Sequence, residues 1–148
     1  MYLDDKKKND ILKSAITLIE YFKKGLLGGA FMPEDFHPNL NPDSEEIFLY
    51  YTLPMSLNYQ RNSYKLWESA KNTYEDDITQ IVFMPERVLC MDFEQLKHFL
   101  IKYKVALQPN KQTEIWFKLC STFQKRFNGS VKQLLISNDS SVEKIKTY

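Results

Sequence analysis

Every strong hydrophobic period in this chain is helical. Ile11, Ala15, Leu18, Ile19 and Phe22 recur at the spacing of one helix face, as do Phe93, Leu96, Leu100 and Tyr103, and then Ile115, Leu119, Phe123 and Phe127. Glycine, four in 148 residues, lies well under its usual share of about 7%. With few β-branched runs as well, the pattern argues against a sandwich or barrel. A chain of this length has enough residues for one buried core. The expected fold is all-α, a single compact domain of about six or seven short-to-medium helices.

Local signals place the elements. Asp4 and Asp5 before the first period and Gly25 after it predict a helix over roughly 5–24. Three of the four glycines and three prolines follow between Gly25 and Pro42, an irregular connection expected to pack through Leu26, Leu27, Phe31, Phe36 and Leu40. Asp43 with Glu46 reads as a capping box for a helix through Ile47–Tyr50. Pro54 should end or kink that helix near Thr52 or Leu53. A new helix from around Asn58 carries Leu66, Trp67, Ala70 and Tyr74, and should stop at Glu75, Asp76 and Asp77, whose charges oppose the helix dipole. These acids read as a solvated helix end.

Pro85 suits the first turn of a short helix, and Asp92 with Gln95 forms a second capping box. Asn128-Gly129 stops the long helix begun near Pro109. Ser130 opens a short helix, and Ser140 with Glu143 caps a last one. The chain thus divides into an N-terminal helix and connection, 1–32, and a region 33–148. Leu18, Phe22, Phe48, Leu66, Trp67, Leu100, Leu119 and Phe123 are the expected core.

Charge is distributed unevenly. The net charge is +1, yet Glu34–Glu46 holds five acids and no Lys or Arg, and Lys97–Lys132 holds seven lysines and Arg126 against Glu114 alone. A basic stretch of this kind either faces phosphates or solvates the outer faces of two helices. No apolar run approaches the roughly 18 residues of a membrane span. The charged N-terminus lacks a signal-peptide core. The expectation is an intracellular, cytoplasmic monomer with no membrane partner.

Little catalytic chemistry is visible. Phosphate-binding glycine loops and GxSxG are absent. His37 and His98 have no ligand-spaced neighbours, and Cys90 and Cys120 read as buried, inert thiols. No catalytic residue, metal or cofactor is assigned. Two polar segments stand out. Ser56–Ser63 includes Asn58, Tyr59, Gln60 and Arg61 at an expected helix start, where free backbone N–H groups suit phosphate or a base edge, though a cap alone would also explain it. Lys102–Lys111 is a basic, aromatic-containing loop with Lys104, Asn110 and Lys111.

The order of these elements resembles the helix-hairpin-helix DNA glycosylase superfamily, the group of endonuclease III and the oxoguanine DNA glycosylases. Leu53-Pro54-Met55-Ser56-Leu57-Asn58-Tyr59-Gln60-Arg61 looks like that family's junction, where a polar side chain in the place of Asn58 fills the gap left by an extruded base. Leu100–Phe127, closed by Gly129, is similar to its loop and long helix. Pro33-Glu34-Asp35, and Tyr59-Gln60-Arg61 through Leu66-Trp67, match a subgroup pattern.

The resemblance spans residues 33–148. It implies double-stranded DNA as partner, a nucleoid location and base excision repair, with Asn58, Tyr59, Gln60, Arg61, Lys104, Asn110 and Lys111 at the DNA. Pro54 and Leu57 depart from the junction, and Lys102-Tyr103 replaces the loop glycine. The family's hairpin, nucleophilic lysine and aspartate have no counterpart. The chain is therefore expected to be a catalytically incomplete N-terminal part. The competing function is a helical protein-interaction module with no DNA role.

Overall fold

The computed structural model describes residues 4–27, 32 and 35–146. Among them all regular structure is helical. The chain forms two compact units, Met1–Met32 and Pro33–Tyr148.

The first unit is one amphipathic helix, α1 (Asp5–Lys23), capped by the Asp4 carboxylate, which accepts from the Lys7 N–H at 2.8 Å. It ends in a turn with Gly25 at φ +69°, a left-handed value that costs glycine nothing. Leu18 and Phe22, expected in the core, are 56% and 67% exposed. The reason is architectural: one helix has no second layer in its own unit to cover its apolar stripe. Leu26 and Leu27 are exposed too. Phe31 and the Pro33-Glu34 pair lie outside the described residues.

The second unit holds the core. α2 (Glu45–Met55) buries Leu49, Tyr50 and Leu53 and runs through Pro54 into its last turn, past the expected break. Its cap position is Ser44; Asp43 is exposed, and the expected capping box does not form. α3 (Ser63–Glu75) packs Leu66, Trp67 and Ala70 inward, with Trp67 and Tyr50 ring centroids 5.9 Å apart. A 3-10 turn (Gln80–Phe83) and α4 (Pro85–Val88) follow, the latter with proline in its first turn as expected. α5 (Phe93–Lys102) is capped by Asp92, which accepts from the Gln95 N–H at 2.8 Å.

α6 (Pro109–Phe127) supplies the central Trp116, whose indole N–H donates to the Val82 carbonyl at 2.8 Å. Asn128 (φ 50°) and Gly129 (φ +78°) then turn the chain left-handed and end it. α7 (Val131–Ser137) is capped by Ser130. α8 (Val142–Ile145) starts from Ser141, one residue later than expected, because Ser140 sits at φ 53° and cannot enter a right-handed turn. Leu66, Trp67, Leu100 and Phe123 are buried as expected, while Phe48 and Leu119 lie half-buried against the core. Tyr148 lies outside the described residues. Cys120 is buried, but Cys90 is exposed, contrary to expectation: it follows the short α4 on a turn rather than facing the core.

Candidate nucleic-acid interface

The two polar segments singled out in the sequence meet in space. Residues 56–62 form a loop between α2 and α3, not the start of a helix. Asn62, rather than Ser56 or Asn58, caps α3 by accepting from the Lys65 N–H at 3.1 Å. Leu57 is fully buried and anchors the loop, and Gln60 at φ 53° breaks helical continuity. The free N–H groups expected at Asn58 are therefore not those of a helix start.

Asn58 is half-buried. Its side-chain oxygen Oδ1 accepts from the Ser63 hydroxyl at 3.0 Å, and its side-chain Nδ2 lies 3.7 Å from the Met55 sulfur. Tyr59 turns its ring under Lys111, with the ammonium 5.4 Å from the ring centre, within reach of a cation–π contact. Its hydroxyl is buried with no hydrogen-bond partner among the described residues. Gln60 is exposed.

Arg61, expected at the DNA, is engaged by main-chain carbonyls. One terminal nitrogen donates to the Val105 carbonyl at 2.6 Å and the other to the Lys104 carbonyl at 3.1 Å. Burial lowers its pKa. The side chain thus ties the 56–62 loop to the α5–α6 loop.

The second loop is held from its own side as well. Lys104 sits at φ 63° with an exposed side chain, and the Ala106 N–H donates to the Leu100 carbonyl at 2.9 Å. Buried Gln112 accepts from the Gln108 N–H at 2.8 Å and from the Leu107 N–H, closing the N-terminus of α6 from behind. The helix start expected near Asn110 is therefore real, at Pro109. Asn110 itself is exposed and accepts from Lys97 at 3.4 Å.

Three lysines of the basic stretch are neutralised by carboxylates. Lys97 pairs with Glu94, Lys118 with Glu114 and Lys102 with Asp76. Asp76 is not the solvated helix end the sequence implied. It also accepts from the Tyr103 hydroxyl at 2.7 Å and the Ile78 N–H at 2.8 Å. The hydrogen bond from Lys102, then that from Tyr103, hold its carboxyl well below the usual range. Lys104 and Lys111 have no carboxylate partner among the described residues, and neither has Lys65.

No family model, curated protein or solved structure matches the chain. What the site can do must be read from its residues. Beside the clamp lies a cleft of about 360 Å³ lined by Arg61, Lys65, Glu68, Tyr103, Lys104 and Leu107. Lys65 and Tyr103 were missed as site residues. Lys65 lies outside the basic stretch, and its only sequence signal is its place in the first turn of a helix. Among the described residues no three His, Cys, Asp or Glu side chains group to hold a metal ion, and no helix is long and apolar enough to cross a membrane.

Proposed function

We propose that the chain binds double-stranded DNA through the face built by the 56–62 and 104–111 segments, as a DNA glycosylase-like protein of base excision repair. One observation carries this reading. Segments more than forty residues apart, both singled out by their chemistry, are joined by Arg61 to Val105 and by Lys111 over Tyr59.

On this reading Lys104 and Lys111 contact phosphates, the first turn of α6 offers the backbone N–H groups of Asn110 and Lys111, and Arg61 positions the two loops. Extruding a base costs a few kcal/mol, and Asn58 is the polar side chain placed to fill the gap. No residue is assigned to the chemical step. A nucleoid location follows from the same reading.

Binding to a labelled duplex carrying an abasic-site analogue, against an intact duplex, tests it. Lys104→Ala and Lys111→Ala should each lower the salt slope by about one unit, whatever the sequence. Asn58→Ala should weaken the lesion duplex more than the intact one. Unchanged slopes, or equal weakening of both duplexes, would count against the assignment. One observation favours a protein-interaction role instead: the apolar stripe of α1, including Ile11, Leu12, Ile16 and Ile19, is exposed. Absence of duplex binding at low salt would select that reading.

A further inference from the structure

A separate pocket of about 330 Å³ opens where α2 begins, α3 ends and the turn after α6 passes the 3-10 turn. Its wall is aromatic and aliphatic. Tyr74 and Phe83 meet edge to face with centroids 5.4 Å apart, and Leu49 and Pro85 are buried beneath. Its charged groups are all of one sign: Glu45, Glu46 and Glu86 line it and no Lys, Arg or His does.

Of the carboxylates at the pocket, Glu45 is committed elsewhere: it accepts from the Ser130 hydroxyl at 2.8 Å and from the Val131 N–H, at the start of α7. Glu46 accepts the Tyr74 hydroxyl through one oxygen at 3.2 Å, which leaves its other oxygen available. Glu86 is exposed and has no hydrogen bond or ion pair among the described residues. The turn that closes α6 reaches the pocket through Asn128 and Gly129. The Tyr74 hydroxyl is pushed up to about 12, first by burial and then by Glu46.

These features select a ligand class. A bare metal ion would need three or more grouped donors, and the described residues offer no such group. An apolar wall beside separated carboxylates, with ring faces and edges at hand, suits an organic cation. We propose that this pocket takes one aliphatic cationic group, an alkylammonium or alkylguanidinium, with its alkyl part on Phe83, Leu49 and Pro85 and its charge between Glu46 and Glu86. The volume is at the low end for ligand pockets, about 300–1,000 Å³, so the guest is the size of one side chain. It is either a free amine or a Lys or Arg side chain of a partner peptide.

The test is an NMR titration of the 148-residue chain, read at the Gly129, Ser130 and Glu86 amides. The probes are n-butylammonium, n-butanol and butyrate at matched ionic strength, and a capped peptide with one lysine. Butylammonium should shift these amides, while butanol and butyrate should not. Glu86→Gln, at an exposed position, should weaken binding about three- to fivefold, the loss expected for one exposed ion pair, and Glu46→Gln should do the same. Both variants should keep the wild-type amide spectrum elsewhere. Tighter binding of the peptide than of butylammonium supports the pocket as a docking point for a basic side chain; the reverse supports a free amine. Equal shifts with butanol, or no shift with either cation well above millimolar concentration, would overturn the proposal.

Discussion

The Arg61 guanidinium donates to the Val105 carbonyl at 2.6 Å across 44 positions of sequence, and to the neighbouring Lys104 carbonyl at 3.1 Å. Val105 is fully buried, so removing the donor strands an acceptor that water reaches poorly. Arg61→Ala should cost about 1.5–3 kcal/mol in urea denaturation, the range for a lost hydrogen bond to a charged group. Arg61→Lys should recover part of the loss, because one ammonium cannot span both carbonyls as the fork does. A wild-type midpoint for Arg61→Ala would show that the loops hold together without the clamp.

Asp76 should give the protein an acid-sensitive component of stability. Folding lowers its pKa from 3.8, chiefly through the hydrogen bonds from Lys102 and Tyr103. The unfolded chain therefore takes up the proton first. The stabilisation is complete above about pH 4 and drains away as pH falls toward the lowered native value. Denaturation midpoints measured from pH 7 down to pH 2 should fall more steeply for wild type than for Asp76→Asn. Parallel curves would remove Asp76 from the account of acid sensitivity.

Glu45 belongs to α2 but caps α7, accepting from the Ser130 hydroxyl and from the Val131 and Lys132 N–H groups. Glu45→Ala should cost about 1–2 kcal/mol, the worth of a charged N-cap. The loss should appear locally, as faster hydrogen exchange at Val131 and Lys132. Exchange that quickens uniformly along the chain would point to a general loss of packing instead.

The two cysteines should differ in reactivity. Cys90 is exposed, whereas Cys120 is buried and its thiol is pushed up to about 12, mainly by burial. A thiol reagent at pH 8 should modify Cys90 in the native protein and reach Cys120 only on unfolding, since the thiolate is the reacting species. Peptide mapping of the labelled protein would decide it. Prompt native labelling of Cys120 would show that the core opens around α6.

What the sequence could reveal was set by how local each signal is. Asp92, Ser130 and the Asn128-Gly129 pair cap or stop their helices through atoms a few residues away, and those boundaries are where expected. The start of α3 was not legible, because Ser56, Asn58 and Asn62 are all chemically fit to cap. What decides among them is the burial of Leu57 and the left-handed Gln60. The α1 stripe was visible as a period, but burial depends on a covering layer that no period encodes. In the candidate site the basic residues of 97–132 were plain and Lys65 was not, and which of them are spoken for left no local signal. Lys102 finds Asp76 26 positions away, and Arg61 finds main-chain carbonyls, which leave no mark in a residue pattern at all.

That last point has a consequence for Lys104. Arg61 grips the peptide carbonyl there rather than the side chain, so the clamp makes no use of the lysine ammonium. The backbone is left-handed at φ 63°, so the unbranched lysine is tolerated and glycine would sit there with less strain. Position 104 is thus an exchangeable socket on a fixed mount: with unbranched side chains its charge could be inverted or removed while the Arg61 clamp and the start of α6 stay where they are.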